Sequence, residues 1–139
     1  MKSVTELPFN RFVGIEAANS EGRLLRLPAA DEYLNHLGTV HASALLALAE
    51  AASGEFLLRQ FGEVAEIVPV VRRMEAKFRR PAKGAVTAAA KTDEAELTRV
   101  EEDLARKGRA LFHIEVELQD EAGERVFEAT VEWFLQRRA

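Results

Sequence analysis

The sequence predicts an α+β domain in which an antiparallel sheet wraps one long helix, and three observations carry that expectation. The stretch HASALLALAEAASGEFLLRQF, residues 41–61, is rich in Ala and Leu and free of proline over a helical length. The last third of the chain alternates apolar and polar residues with the period of two that marks half-buried strands. Strand-like segments before and after the helix are joined by short turn sequences, which favours an antiparallel sheet packed on one helix.

The elements read in chain order as follows. Phe12–Ala18 and Arg23–Leu27 are strand candidates separated by Asn19-Ser20-Glu21-Gly22, a hairpin turn, and Pro28 ends the second. The long helix has Thr39 as its expected N-cap and Gly62 as its stop. Glu66–Arg79 reads as a strand in which Pro69 marks a start, an edge or a bulge. Pro81 and Gly84 turn the chain into Ala85–Lys91. A short amphipathic helix follows: Asp93 with Glu96 makes a capping-box-like start, Leu97, Val100 and Leu104 share a face, and Gly108 ends it. Two strands close the chain, with Ala110, Phe112, Ile114, Val116 and Leu118 on one inner face and Phe127, Ala129, Val131, Trp133 and Leu135 on the next.

Composition bounds the function. The 139 residues, 47% apolar and 30% charged, suit one domain spanning 1–139. A net charge of −4 disfavours nucleic acid as a partner. Cysteine is absent, which removes disulfides, thiolate nucleophiles and Cys-ligated metals. The start MKSVTELPFNRFVGIE lacks the apolar core of a leader, and no run approaches about eighteen uncharged apolar residues, so a cytoplasmic protein with no membrane partner is expected.

Between Ala42 and Gly54 the helix carries one charge, Glu50. At about 100° per residue, Leu45, Leu48, Ala49, Ala52 and Phe56 form the sheet-facing stripe, and Glu50 falls roughly 140° from its centre, near Leu46 and Leu57. A helix apolar nearly all round needs a second cover, and a partner subunit is the simplest one. Burial there would raise the Glu50 pKa toward that of a general base; the alternative is that Glu50 faces water. Upstream, NHLGTVHAS (residues 35–43) feeds a turn containing Gly38 into the helix N-terminus, where free N–H groups and the helix dipole suit an oxyanion. Asn35, the N–H near Ala42, and Glu50 thus offer an amide, an oxyanion site and a base within one junction.

Other readings are weaker. His36 and His41 lack an HExxH context, and residues 41 and 50 point to opposite sides of a helix, so neither a metal nor a cofactor is expected. His41 reads as a structural residue at the helix start or one that touches substrate, and His113 as an exposed sheet residue. No GxSxG supports a serine hydrolase. The run 72–83 holds Arg79, Arg80 and Lys83 among other bases; it suits ligand phosphates or, alternatively, a solvated edge.

The pattern N-x-x-G-T-V-H-x-x-x-L-x-x-L-A-E, here Asn35, Gly38, Thr39, Val40, His41, Leu45, Leu48, Ala49 and Glu50, resembles the central-helix motif of hotdog-fold acyl-CoA thioesterases of the phenylacetate-pathway (PaaI) type. HASALLALAEAASG is most similar to a poorly characterised branch described as a domain of unknown function, and F-R-R-P-A-K-G (78–84) resembles the family's strand-ending F-x-R-P-x-x-G. The resemblance implies a hotdog fold, a homodimer or dimer of dimers, and acyl-CoA sites between subunits. It also implies Glu50 as base or nucleophile, Asn35 orienting water or substrate, and the Ala42 N–H, next to His41, polarising the thioester carbonyl. The usual H-G-G is here His41-Ala42-Ser43. Ala would obstruct the site if the loop needed positive φ at that position. Two alternatives stand beside hydrolysis: a hotdog enoyl-CoA hydratase or dehydratase, for which His36 and Glu50 have the spacing but the loop lacks its prolines, and a non-catalytic acyl-CoA binder or sensor.

Overall fold

The computed structural model describes residues 1–62 and 66–138. Strands β1 (Glu16–Ala17), β2 (Leu25–Leu27), β3 (Ile67–Phe78), β4 (Val86–Lys91), β5 (Arg109–Gln119) and β6 (Arg125–Arg137) make one antiparallel sheet ordered β1-β2-β4-β5-β6-β3. Helices α1 (Pro8–Val13), α2 (Ala42–Phe61) and α3 (Glu94–Lys107) complete the described residues, apart from two short 3-10 turns. The sheet wraps α2, which is the hotdog arrangement.

The alternation in the last third builds the inner face. Ala110 pairs with Leu135, Phe112 with Trp133, Ile114 with Val131, Val116 with Ala129 and Leu118 with Phe127, and all ten are buried. Side chains of this kind contribute about 1.5–3 kcal/mol each on full burial. Helix α2 lays Leu45, Leu48, Ala49 and Ala52 on that face, and its Phe56 and Phe61 rings reach Phe112 at centroid distances of 6.5 and 5.8 Å. Pro69 sits on edge strand β3, where a missing N–H costs no ladder bond, and a bulge follows between Val71 and Arg73.

Helix α3 shields the half of β5 that β4 leaves unpaired. The Arg99 guanidinium donates to the Leu111 carbonyl at 2.7 Å, and the His113 N–H donates to Glu96 at 2.8 Å. Asp93 caps α3 by accepting from the Glu96 N–H, and Gly108 closes it with φ 75°. The Glu96 carboxylate, however, turns to Arg99 and His113 instead of back to the cap, so the box is half formed. His113 is correspondingly held between Glu96 and Glu132, at 3.0 and 2.9 Å, and is not a freely exposed sheet residue.

The N-terminus departs from expectation. Phe12 lies in α1 and is 88% exposed, because Pro8 at the first turn and Gly14 in a left-handed C-cap (φ 93°) delimit a helix there. The strands of the hairpin shrink to Glu16–Ala17 and Leu25–Leu27. This segment also covers α2: Val4 and Asn10 are buried, the Asn10 side chain donates to the Val4 carbonyl at 2.9 Å, and Glu55 of α2 accepts from Ser3 Oγ and the Val4 N–H, both at 3.0 Å. The second cover expected of a partner is therefore supplied, over the C-terminal half of α2, by the chain itself.

Candidate functional site

The loop before α2 is built around one side chain. Asn35 Oδ1 accepts from the N–H groups of Leu37 (2.9 Å) and Thr39 (3.1 Å) and from Thr39 Oγ1 (3.2 Å), while Nδ2 donates to Thr39 Oγ1 at 2.9 Å. The backbone closes the same turn through Asn35 N–H to Thr39 O at 2.8 Å, and Gly38 adopts φ 76°, a left-handed conformation that a residue with Cβ adopts only with strain. Thr39 is consumed here, so it does not cap the helix. His41 does: its Nδ1 accepts from the Ser43 N–H at 2.9 Å, which leaves the proton of a neutral ring on Nε2, and its backbone N–H goes to the Tyr33 carbonyl at 2.7 Å.

At the helix start Ser43, Ala44 and Leu45 donate to His41, whereas the Ala42 N–H has no partner among the described residues. A single unpaired donor thus stands at the positive end of α2. Ala42 is the first helical residue, and no described non-glycine residue has positive φ, so the Ala in place of Gly introduces no backbone strain.

Glu50 lies two turns further on and is half-buried. Among the described residues no hydrogen bond or ion pair engages its side chain, and burial pushes its carboxyl above the ordinary carboxylate value. Ser43, Leu46, Ala47 and Glu50 form a flank that the N-terminal segment leaves uncovered: Ser43 is exposed and the others are half-buried. Glu50 lies eight positions after Ala42, about 12 Å along the helix, so one chain does not bring the two groups together. Within one chain the Ala42 N–H and the Glu50 carboxylate therefore stand apart.

The tertiary structure adds a neighbour. The Val40 N–H donates to the Ala82 carbonyl at 2.9 Å, which places the 79–83 segment beside the helix-entry loop. Arg79 pairs with Glu128 at 2.6 Å and Arg80 with Glu124 at 3.7 Å; both are exposed. Lys83 is exposed, and its ammonium has no partner among the described residues. A cavity of about 250 Å³ adjoins this meeting point, lined by Tyr33, Leu34, Val40 and Gly84 among others. His36 lies exposed in the loop. Among the described residues no group of three His, Asp or Glu side chains is placed to hold a metal, and no helix is long and apolar enough to cross a membrane.

Sequence reasoning missed Glu55, at 3% exposure the most buried carboxylate among the described residues. It also missed the junction of Val40 with Ala82. Neither has a local signal, because the partners lie tens of residues away.

Residues 8–135 match the family described as a domain of unknown function, DUF4442. A Pseudomonas aeruginosa protein of unknown function, described as a probable thioesterase, is 33% identical, with 97% of this chain and 91% of that chain covered and a TM-score of 0.82. A Bacillus halodurans protein solved with CoA is 20% identical at a TM-score of 0.64, covering 80% of this chain and 69% of that one. A Staphylococcus aureus thioesterase enzyme, solved as a Gln→Ala mutant, is 17% identical at a TM-score of 0.69, covering 92% and 98%. The same protein was also solved as a Glu→Ala mutant, fifteen residues further along. No curated protein matches.

Proposed function

We propose that this chain, which belongs to the DUF4442 family of the hotdog thioesterase superfamily, hydrolyses acyl-CoA thioesters with Glu50 as general base at a subunit interface. The observation that carries the reading is Glu50 itself, a half-buried carboxylate with no partner among the described residues and a raised pKa, on a flank of α2 that the N-terminal segment leaves open. The superfamily supplies the reaction class. The CoA in the Bacillus halodurans neighbour supports the ligand. The Gln and Glu mutated in the Staphylococcus aureus enzyme are separated as Asn35 and Glu50 are here.

A second copy resolves the 12 Å gap. Strand β3 is an unpaired edge bearing exposed Val68, Val70 and Val71, a surface suited to pairing with its own copy. Two antiparallel α2 helices, packed by their open flanks, set Glu50 of each across from the helix start of the other. Water then attacks the thioester carbonyl, Glu50 takes the water proton, and the Ala42 N–H of the opposite helix holds the oxyanion. Collapse of the tetrahedral intermediate breaks the C–S bond, and the departing thiolate takes the proton back from Glu50. Asn35 shapes the entry loop and keeps one amide hydrogen for the substrate. Arg79, Arg80 and Lys83 meet the CoA phosphates; both arginines are exposed, and the carboxylates they now hold, half-buried Glu128 and exposed Glu124, can be exchanged for a phosphate.

The test is free-thiol release across an acyl-CoA panel, with light scattering on the same samples. Turnover by a dimer that falls at least about a hundredfold in kcat in Glu50→Gln is the expected result. Undiminished turnover in the variant, or a monomer, overturns the mechanism, and acyl-CoA binding without turnover in the wild type replaces it with a sensor.

A further inference from the structure

We propose that an apolar chamber along the C-terminal half of α2 holds the alkyl chain of the acyl group, making medium- and long-chain aliphatic acyl-CoA the substrate class. The proposal rests on the reading of Glu50 above. At 100° per residue, Glu50, Gly54, Leu57 and Phe61 lie on one stripe of the helix, each a turn beyond the last. The chamber, about 590 Å³ and of the size usual for ligand sites, begins on that stripe at Gly54 and runs past Leu57 and Leu58 to Phe61. Ile67 and Trp133 of the sheet form its floor, and Val4 and Leu7 of the N-terminal segment form its roof.

Gly54 lines the end of the chamber nearest Glu50. Its backbone does not have positive φ, and an added Cβ would sit 3.5 Å from Trp133 and from Val4, which is ordinary contact. Neither conformation nor packing therefore requires glycine, whose place in a helix interior costs about 0.5–1 kcal/mol relative to Ala. With no side chain at Gly54, only backbone stands between the Glu50 turn and the chamber along that stripe. Side chains on a helix lean toward its N-terminus, so Leu57 leans back toward Gly54. The roof is fastened by the Glu55 carboxylate, through Ser3 and Val4, which makes the latch a positioning device for chain selection.

Trp133 is the only tryptophan in the chain, and its Nε1–H donates to Ser53 Oγ at 3.0 Å beside the chamber, so its fluorescence reports occupancy without catalysis. Titration with sodium dodecanoate is expected to shift Trp133 emission in the wild type and in Glu50→Gln, and CoA alone is expected not to. In Gly54→Val, and in Leu58→Phe should Gly54→Val fail to fold, the response is lost. The dodecanoyl-to-acetyl ratio of kcat/KM is then expected to fall at least about tenfold, the effect of filling a hydrophobic pocket. A wild type silent to dodecanoate, or a response that survives a folded plug variant, overturns the chamber. Turnover by Glu50→Gln overturns only the base, so the two failures are told apart.

Discussion

Two carboxylates five residues apart on α2 meet opposite fates. Glu55 is almost fully buried, yet it accepts from Ser3 Oγ and the Val4 N–H and pairs with Arg59 at 3.2 Å, so its charge is satisfied. Glu50 is less buried and has no partner among the described residues, and its proton is held more tightly than in water. Depth alone therefore does not mark a reactive group. A fully bonded carboxylate fastens structure, whereas one that is desolvated and unpaired stays available for a proton. The two halves of the helix divide accordingly: the C-terminal half is closed by the chain's own first residues, and the N-terminal half is left open beside a free N–H.

The sharpest way to break this comparison is to substitute each carboxylate in turn. Glu50→Gln is expected to lower kcat at least about a hundredfold while the protein stays folded by circular dichroism. If Glu55→Gln alone produced such a loss at unchanged stability, the two roles would be reversed.

Next in size is Glu55→Ala, which strands the buried Val4 N–H. A loss of about 2 kcal/mol in urea denaturation is expected, with amide exchange accelerating first in residues 3–13. Uniform exchange across the chain would deny the latch.

The open end of the helix is probed by replacing Arg79 and Arg80 together with Ala. Acyl-CoA KM should rise about tenfold, while acyl-pantetheine, which lacks the adenosine phosphates, should change little. Equal losses for both substrates would remove the 79–83 segment from the site.

The smallest effect concerns pH. The folded pKa of Glu50 lies above its unfolded value of 4.5, so the native state binds more protons, and stability falls as pH rises from about 4.5 through the raised value. Glu50→Gln should therefore melt slightly above wild type at pH 7, and the gap should close as pH drops below about 4.5. A variant less stable at pH 7 would show that Glu50 has a stabilising partner. In the same window the activity should rise with pH as the base loses its proton.

Much of the fold was legible because its signals are local. Alternation identified β5 and β6, the Ala/Leu run identified α2, and Asp93 and Gly108 bracketed α3. The misreading at Phe12 is also local in origin: an apolar pair, Phe12 and Val13, looks like a strand start, while Pro8 and Gly14, which delimit the helix, went unread. Glu50 was legible as the lone charge on an apolar flank, and Ala42 as the helix start. The occupation of Asn35 by Thr39 was not, although four residues separate them, because an amide that orients a ligand and one that ties a turn have the same sequence.

By itself, then, the sequence determined most of the helices and strands, which faces are apolar, and where a helix-start N–H and a carboxylate stand along α2, since periodicity, caps and turns act over a few residues. Only the tertiary structure decided which carboxylate is satisfied. Ser3 reaches Glu55 across 52 positions and Val40 meets Ala82, so the latch, the open flank and the chamber exist only once distant segments pack. Desolvation depends on what fills the surrounding space, and the chain supplies that filling from far along its length.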